Sequence, residues 1–474
     1  MRRSPWATLT VLALAQFIVV LDVTIVNVAL PHIQDDLGFT ADGLQWVISA
    51  YTLVFGGFLL LGGRAADLLG SRRVFVTGLV LFGVTSLAGG LAGSPGLLIA
   101  ARSLQGLGGA LLSPAALGIL TVTFPHGKER NIAMGVWGGL AGLGGTLGVV
   151  AGGFLVDSLS WRWVFIVNVP IVIALVIVTP LIVPHVAPHA GRRVFDALGA
   201  VLATSGVLGV VYAVVRAEPL GWTSAEVIGC LAGGLLLLAA FLVVETRIEA
   251  PLVPMRLLRS RALSSAGGTV ALTGAAFLSM FFLTAIFLQQ VRGDTALRAG
   301  VEFLPMGGAA IGAAVLATPL ITRFGTRPVQ TAGTLLSVAG LLLLSRADAT
   351  GPYASQIMPG IILFGVGVIA VSVPAQIAAV VDVTHADAGA ASGVFTAFQQ
   401  VGGAVGLAVV TTLATSRTTH ALAGGASQSD ALVDGFHRGL LVAAAFTAGT
   451  FVITLLSPRL APSAEQIAGA AAAA

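Results

Sequence analysis

The chain has one cysteine, Cys230, in 474 residues, which excludes an internal disulfide framework and a cysteine-built metal cluster. Its one lysine, Lys128, sits in the run His-Gly-Lys-Glu-Arg. That leaves no Gly-x-x-x-x-Gly-Lys-Ser/Thr loop to cradle a nucleotide phosphate, and so no ATP-driven pump in this chain. The seven histidines (His32, His126, His185, His189, His385, His420 and His437) fall in loops or at the ends of apolar runs. None forms a His-Glu-x-x-His pair, and Pro188 interrupts the helix that would align His185 with His189. No catalytic or metal constellation is left, so neither an enzyme nor a bound cofactor is expected. Charge is also scarce: 9% of residues carry it, against about a quarter in an ordinary soluble domain.

What is present is apolar. Hydrophobic residues make up 56% of the chain, with 61 glycines and a mean hydropathy of +0.98. This is the composition of an all-α polytopic membrane protein, in which every backbone polar group is satisfied within a helix. A pI near 10 raises the question of nucleic acid. The arginines, however, are scattered among short loops with no basic stretch interleaved with aromatics, so nucleic acid is not an expected partner. The basic start and the Ala-Leu-Ala near residue 14 resemble a signal peptide. The apolar run nevertheless continues through Leu30, too long for such a segment, and reads as a retained first span.

Runs of about 20 apolar residues predict fourteen spans, at 7–30, 44–63, 74–92, 96–122, 132–156, 164–183, 197–216, 225–244, 262–288, 299–321, 329–345, 354–380, 389–413 and 437–456. With the N-terminus inside, the cytoplasmic segments hold 16 basic residues and the outer segments 7. That bias places both termini in the cytoplasm of a plasma-membrane protein. GGRAADLLGSRRV after span two is echoed by ITRFGTRPV after span ten, with Gly70 matching Gly325 and Arg72 matching Arg327. The echo predicts a six-helix bundle at 1–183, two inserted helices within 184–261, a second bundle at 262–456 and a tail at 457–474. Two such halves around a midplane site form a recurring transporter architecture.

Asp22 is the one acid lying more than about five residues from both ends of its span, and Arg102 the one such base. Glu302 and Glu226 fall near span ends and are expected at the interface. A charge at mid-bilayer costs about 2.5–3.5 kcal/mol on insertion scales. Two of them point to use, or else to a purely structural ion pair joining two helices. Asp22 lies roughly 12 Å and Arg102 roughly 9 Å below the same face at 1.5 Å per residue, so the two can meet. A carboxylate subject both to burial and to a neighbouring arginine can change protonation as its surroundings change. Gln16, Asn27, Thr146, Asn168, Gln399 and Gln400 are the polar span residues that are candidates for a cavity. Helix–helix hydrogen bonds are the other use of such residues.

These stretches together resemble the major facilitator superfamily and, within it, the fourteen-span drug:proton antiporters of the EmrB/QacA type. LDVTIVNVALP, with Asp22, Thr24, Asn27 and Pro31, resembles the first-helix motif, which implies proton coupling at Asp22. GRAADLLGSRR resembles the gating loop, which implies roles for Gly63, Asp67, Gly70, Arg72 and Arg73. Leu68 stands where many members carry a basic residue, and the second-half copy has Thr322 in place of Asp67. ARSLQGLGGA, with Arg102, Gln105, Gly106, Gly108 and Gly109, resembles the span-four motif, whose arginine assists proton transfer. Gly135, Gly144, Gly148, Gly152 and Gly153 keep the spacing of the antiporter motif, with Val149 in place of its proline. SWRWVFIVNVP is typical of the same group.

The resemblance implies a monomeric, proton-driven exporter of drug-like amphipathic molecules. A proton-coupled metabolite importer on the same fold stays open, since fold does not fix function. A sensor or scaffold would have no need of buried charge.

Overall fold

The computed structural model describes residues 4–124, 129, 133, 136, 144, 147, 148, 150–183, 196–248, 255–380 and 388–457. Among them every regular element is helical. The long helices are α1 (Pro5–Leu37), α2 (Trp46–Leu69), α3 (Ser71–Gly90) and α4 (Pro95–Thr123), then α5 (150–158, the described end of the fifth predicted span) and α6 (Asn168–Ile182). They continue with α7 (Ala197–Leu220), α8 (Ala225–Glu245), α9 (Arg261–Ile286), α10 (Leu304–Phe324), α11 (Thr326–Leu344), α12 (Met358–Val380), α13 (Ala388–Ala423) and α14 (Gln428–Leu456). Eleven helices among the described residues are long and apolar enough to cross a membrane. The second and seventh predicted spans correspond to α2 and α7, helices of span length that carry the apolar stretches Trp46–Leu59 and Leu198–Val214.

Several helices outrun their predicted limits. α1 continues to Leu37, where Gly38 takes a left-handed conformation (φ 67°) and its N–H closes on the Gln34 carbonyl. α13 runs to Ala423 and α14 starts at Gln428, with Gly425 (φ 85°) and the Ser427 cap between them. Hydropathy follows the bilayer, whereas a helix stops only where its free backbone groups find other partners. A five-residue π-helical turn, Phe287–Val291, follows α9 and had no signature in the hydropathy pattern.

The internal repeat has a structural counterpart. Gly70 (φ 93°) and Gly325 (φ 85°) each form the whole link between two helices, in a conformation that favours glycine. Arg72 Nη1 donates to the Val183 carbonyl at 3.3 Å, just past α6, and Arg327 donates to the Leu455 carbonyl at the end of α14. Each arginine thus ties the start of its helix to the C-terminal carbonyls of the last helix in its set. α3 packs on α4 and α6 as α11 packs on α12 and α14. Between the two sets, α7 lies against α2 and α13, with Thr204 Oγ1 donating to the Gly57 carbonyl at 2.8 Å, and α8 packs on α7.

At the end where α1 finishes, one apolar core joins both sets of helices, bringing Ile33 and Phe165 together with Phe281, Phe287 and Phe436. Toward the opposite end the cores separate. One contains Leu12, Phe75 and Phe124, another Leu263, Ala375 and Phe395. The joined end carries specific contacts as well. Gln290 Nε2 donates to Gln34 Oε1 at 3.0 Å. Asp157 accepts from the backbone N–H groups of Ala296 (3.2 Å) and Leu297 (2.9 Å), at the start of the short helix Ala296–Glu302.

Glu302 departs from expectation: it is buried, with Arg298 Nε 3.5 Å from its Oε1. The Tyr353 hydroxyl donates to the Glu302 carbonyl, and the Glu302 side chain is turned into the protein. Glu226 is exposed, as expected, and bonded to Tyr212 and Arg216. Asp196 and Glu245, at neighbouring ends of α7 and α8, are also buried, which their span-end positions did not signal.

Candidate functional site

Asp22 and Arg102 form an ion pair between α1 and α4, and both side chains are buried at 0% and 1% exposure. The span-four motif supplies more than the arginine. One turn further along α4, Gln105 accepts from Arg102 Nη1 at 2.8 Å and donates to Asp22 Oδ1, also at 2.8 Å. The i, i+3 spacing puts both side chains on one face of the helix. Asn168, at the start of α6, donates to the same Oδ1 at 3.1 Å and to Ser86 Oγ at 3.0 Å. Ser86, on α3, also receives Gln105 Nε2 at 3.1 Å and donates to the Phe165 carbonyl at 2.9 Å. From α2, the Val47 carbonyl accepts Arg102 Nε at 2.9 Å, and the Tyr51 ring lies 4.3 Å from the guanidinium carbon. Five helices therefore converge on one pair of charges.

The glycines explain how the helices come so close. A methyl group at Gly106 would fall 2.4 Å from the Tyr51 carbonyl oxygen, and one at Gly108 would fall 2.7 Å from the Phe82 nitrogen. Along the fifth span, a methyl group at Gly148 would fall 2.0 Å from Thr24 Oγ1, while Gly144 and Gly152 abut Val20 and Ile25. Thr24 Oγ1 donates to the Gly144 carbonyl at 3.2 Å, so the glycine row is the seat of α1 just beside Asp22. Gly153 faces elsewhere, against Ala296 and Leu297 of the second helix set. Gly135, Thr146 and Val149 lie outside the described residues.

Other sequence candidates are dispersed. Asn168 belongs to the charged network and is fully buried. Asn27 is buried with its amide turned back to the Val23 carbonyl at 2.9 Å. Gln16 accepts from Ser113 Oγ at 3.0 Å, linking α1 to α4. Gln399 and Gln400 are half-buried on α13, and Gly56 of α2 abuts the Gln400 Cβ. In the loop motif, Gly63 faces Pro114 at ordinary contact distance and Arg73 is exposed, while the side chain of Asp67 lies outside the described residues. Tyr51 and Ser86 were missed, because a lone Tyr or Ser in an apolar helix carries no distinctive pattern.

Chemically, the centre is one carboxylate held by a guanidinium and two amides, with Ser86 completing the ring of hydrogen bonds. Two buried polar atoms at its border, Asn168 Oδ1 and the Tyr51 hydroxyl, have no hydrogen-bond partner among the described residues. Among the described residues no group of His, Cys, Asp and Glu is arranged to hold a metal.

Comparison with known proteins places these features in a family. The profile of the Major Facilitator Superfamily matches residues 12–407. The puromycin resistance protein pur8 of Streptomyces alboniger is 40% identical over 453 residues, 95% of this chain and 90% of that protein. The cephamycin export protein CmcT of Amycolatopsis lactamdurans is 38% identical over 95% of this chain and 92% of its own length. The lincomycin resistance protein of Streptomyces lincolnensis is 37% identical over 86% of this chain and 84% of its own. The solved nucleoside transporter NupG superimposes with a TM-score of 0.67 at 12% identity, covering 96% of this chain and 99% of that one. A bacterial homologue of the human lysosomal transporter Spinster gives 0.66 at 14%, covering 96% and 97%. At such identities the solved structures speak to the fold alone.

Proposed function

The chain belongs to the major facilitator superfamily as an integral multi-pass transporter and not an enzyme, and we propose that it is a proton-coupled exporter of amphipathic, antibiotic-like small molecules. The observation that carries the coupling is the buried Asp22–Arg102 pair with its amide collar. An ionisable pair this deep is costly to insert, and its surroundings suit a group that changes protonation. Asn168 and Gln105 each carry a donor and an acceptor, so a rotated amide can serve the protonated acid as well as the carboxylate. The unpartnered Asn168 Oδ1 is the acceptor such a rotation would bring into use.

The substrate reading rests on the relatives, named for resistance to puromycin and lincomycin and for export of cephamycin. One acid at the site favours neutral or monocationic molecules over dications. In this reading the chain works as a monomer, with both termini cytoplasmic, fourteen spans in two halves and an inserted pair. It needs no cofactor, and the apolar core joining the halves closes the outer end in the state described here.

Proteoliposomes holding the full chain, an imposed pH gradient and a fluorescent pH probe test the proposal. Puromycin, lincomycin and a panel of lipophilic drugs are added in turn, with Asp22→Asn in parallel. At least one compound is expected to collapse the gradient in wild type and not in the variant. Equal proton flux in Asp22→Asn would remove Asp22 as the coupling site.

A further inference from the structure

Protonation of Asp22 would leave a problem that the proton site alone does not solve. Arg102 is 1% exposed, and once its partner is neutral it becomes a buried, uncompensated cation, a costly arrangement. The groups that still face it are the Val47 carbonyl, the Gln105 side-chain oxygen and two aromatic rings. Tyr51 is the nearer ring, at 4.3 Å, against 5.8 Å for Phe165. Aromatic faces carry negative potential and attract a guanidinium most strongly where water is excluded.

We infer that Tyr51 is a positioning residue of the proton site: its ring face supplies Arg102 with counter-charge when Asp22 is neutral, and so sets how readily the site takes a proton. The inference rests on the proposed proton coupling at Asp22.

Three observations support a role through the face. The ring is 1% exposed and stacked on Phe55 at 5.9 Å with an 11° interplanar angle, so it is fixed and not a mobile lid. Gly109 clears the space it occupies, because a methyl group there would fall 2.9 Å from the Phe55 ring and 3.2 Å from the Tyr51 hydroxyl. The hydroxyl has no hydrogen-bond partner among the described residues, so the contact with the charged network runs through the π-system and not through the oxygen.

Among the described residues, the titratable or charged groups meeting here are Asp22 on α1, Arg102 on α4 and Tyr51 on α2. α3 and α6 contribute Ser86 and Asn168, which are uncharged. The sign follows from this arrangement. A weaker face offers the cation less in place of the carboxylate, so the charged pair is favoured over the pair with a neutral partner.

The test is a pH titration of the full chain in lipid nanodiscs, following the infrared band of a protonated carboxyl group. Asp22→Asn identifies the band. Tyr51→Phe keeps the face and should leave the midpoint in place. Phenylalanines of increasing fluorination at position 51 weaken the face at nearly constant size, and should lower the midpoint stepwise by up to about one pH unit. Residues in a merely structural role would leave the midpoint unmoved. A midpoint that stays fixed across the folded fluorinated series overturns the inference while the proton site stands. A wild-type band that survives Asp22→Asn unchanged overturns the proton site itself, and the inference with it.

Discussion

Removing Arg102 and neutralising Asp22 are unequal perturbations of the same pair. Arg102→Ala leaves a fully buried carboxylate with only the amides of Gln105 and Asn168, and breaking a buried pair in this way costs about 3–5 kcal/mol. Asp22→Asn keeps the side chain's shape and an oxygen for the guanidinium, which also retains Val47, Gln105 and Tyr51. Arg102→Ala should therefore lower both membrane expression and thermal stability, whereas Asp22→Asn should express near the wild-type level. Fluorescence-detected chromatography of both variants before and after heating checks this, and an equally stable Arg102→Ala would contradict it. At this scale the sequence was readable wherever charge marked a residue. Asp22 and Arg102 stood out because charge is conspicuous in an apolar run. Ser86 and Tyr51 did not, because their roles depend on which helices meet, and a hydroxyl or ring in a span has many bland uses.

Between helices, the glycines divide into those that permit a contact and those with room to spare. A methyl group at Gly106 would fall 2.4 Å from backbone oxygen, which cannot move aside, whereas Gly63 has 3.7 Å to Pro114. Gly106→Val should thus prevent α2 and α4 from docking and abolish folded protein in the membrane. Gly63→Ala should leave stability within about 0.5 kcal/mol of wild type, as thermal unfolding in detergent would show. The glycine spacing in the fifth span marked a close helix contact, but that Gly144, Gly148 and Gly152 seat α1 at Val20, Thr24 and Ile25, while Gly153 turns to the second helix set, required the fold. Element ends were less readable. α13 and α14 continue past their apolar stretches because helical hydrogen bonding persists in water, and the π-turn after α9 leaves no trace in hydropathy. Glu302 illustrates the same limit: its place near a span end suggested water, yet it is buried, and its turn is bonded to Tyr353 from a distant segment.

Over the whole molecule, the repeat seen in two short loops corresponds to paired helix-tying arginines, Arg72 and Arg327, while among the described residues the mid-helix Asp22–Arg102 pair has no counterpart in the second helix set. On the proposed reading, coupling belongs to the first helix set. The joined end, with Gln34 bonded to Gln290, must part if substrate is to leave there. Gln34→Cys and Gln290→Cys in a Cys230→Ser background, bridged by a short bis-methanethiosulfonate reagent that forms a disulfide to each cysteine, should block transport until the disulfides are reduced. Undiminished transport in the bridged protein would mean that this end does not open. The energetics limit what one proton can do. Across about 100 mV it supplies roughly 2.3 kcal/mol, and each pH unit adds about 1.4 kcal/mol. A neutral compound exchanged one-for-one can therefore be concentrated roughly several hundred-fold. A monocation gains only the pH part, about tenfold per unit.

The most direct test of the account compares two modes of transport in the same proteoliposomes, using whichever radiolabelled compound collapses the proton gradient. Counterflow exchange needs alternating access alone, and uphill accumulation needs coupling as well. The account predicts that wild type performs both, while Asp22→Asn keeps counterflow and loses accumulation driven by the pH gradient. Uphill accumulation by Asp22→Asn at the wild-type level would contradict it, and would leave the Asp22–Arg102 pair as a structural clasp between α1 and α4.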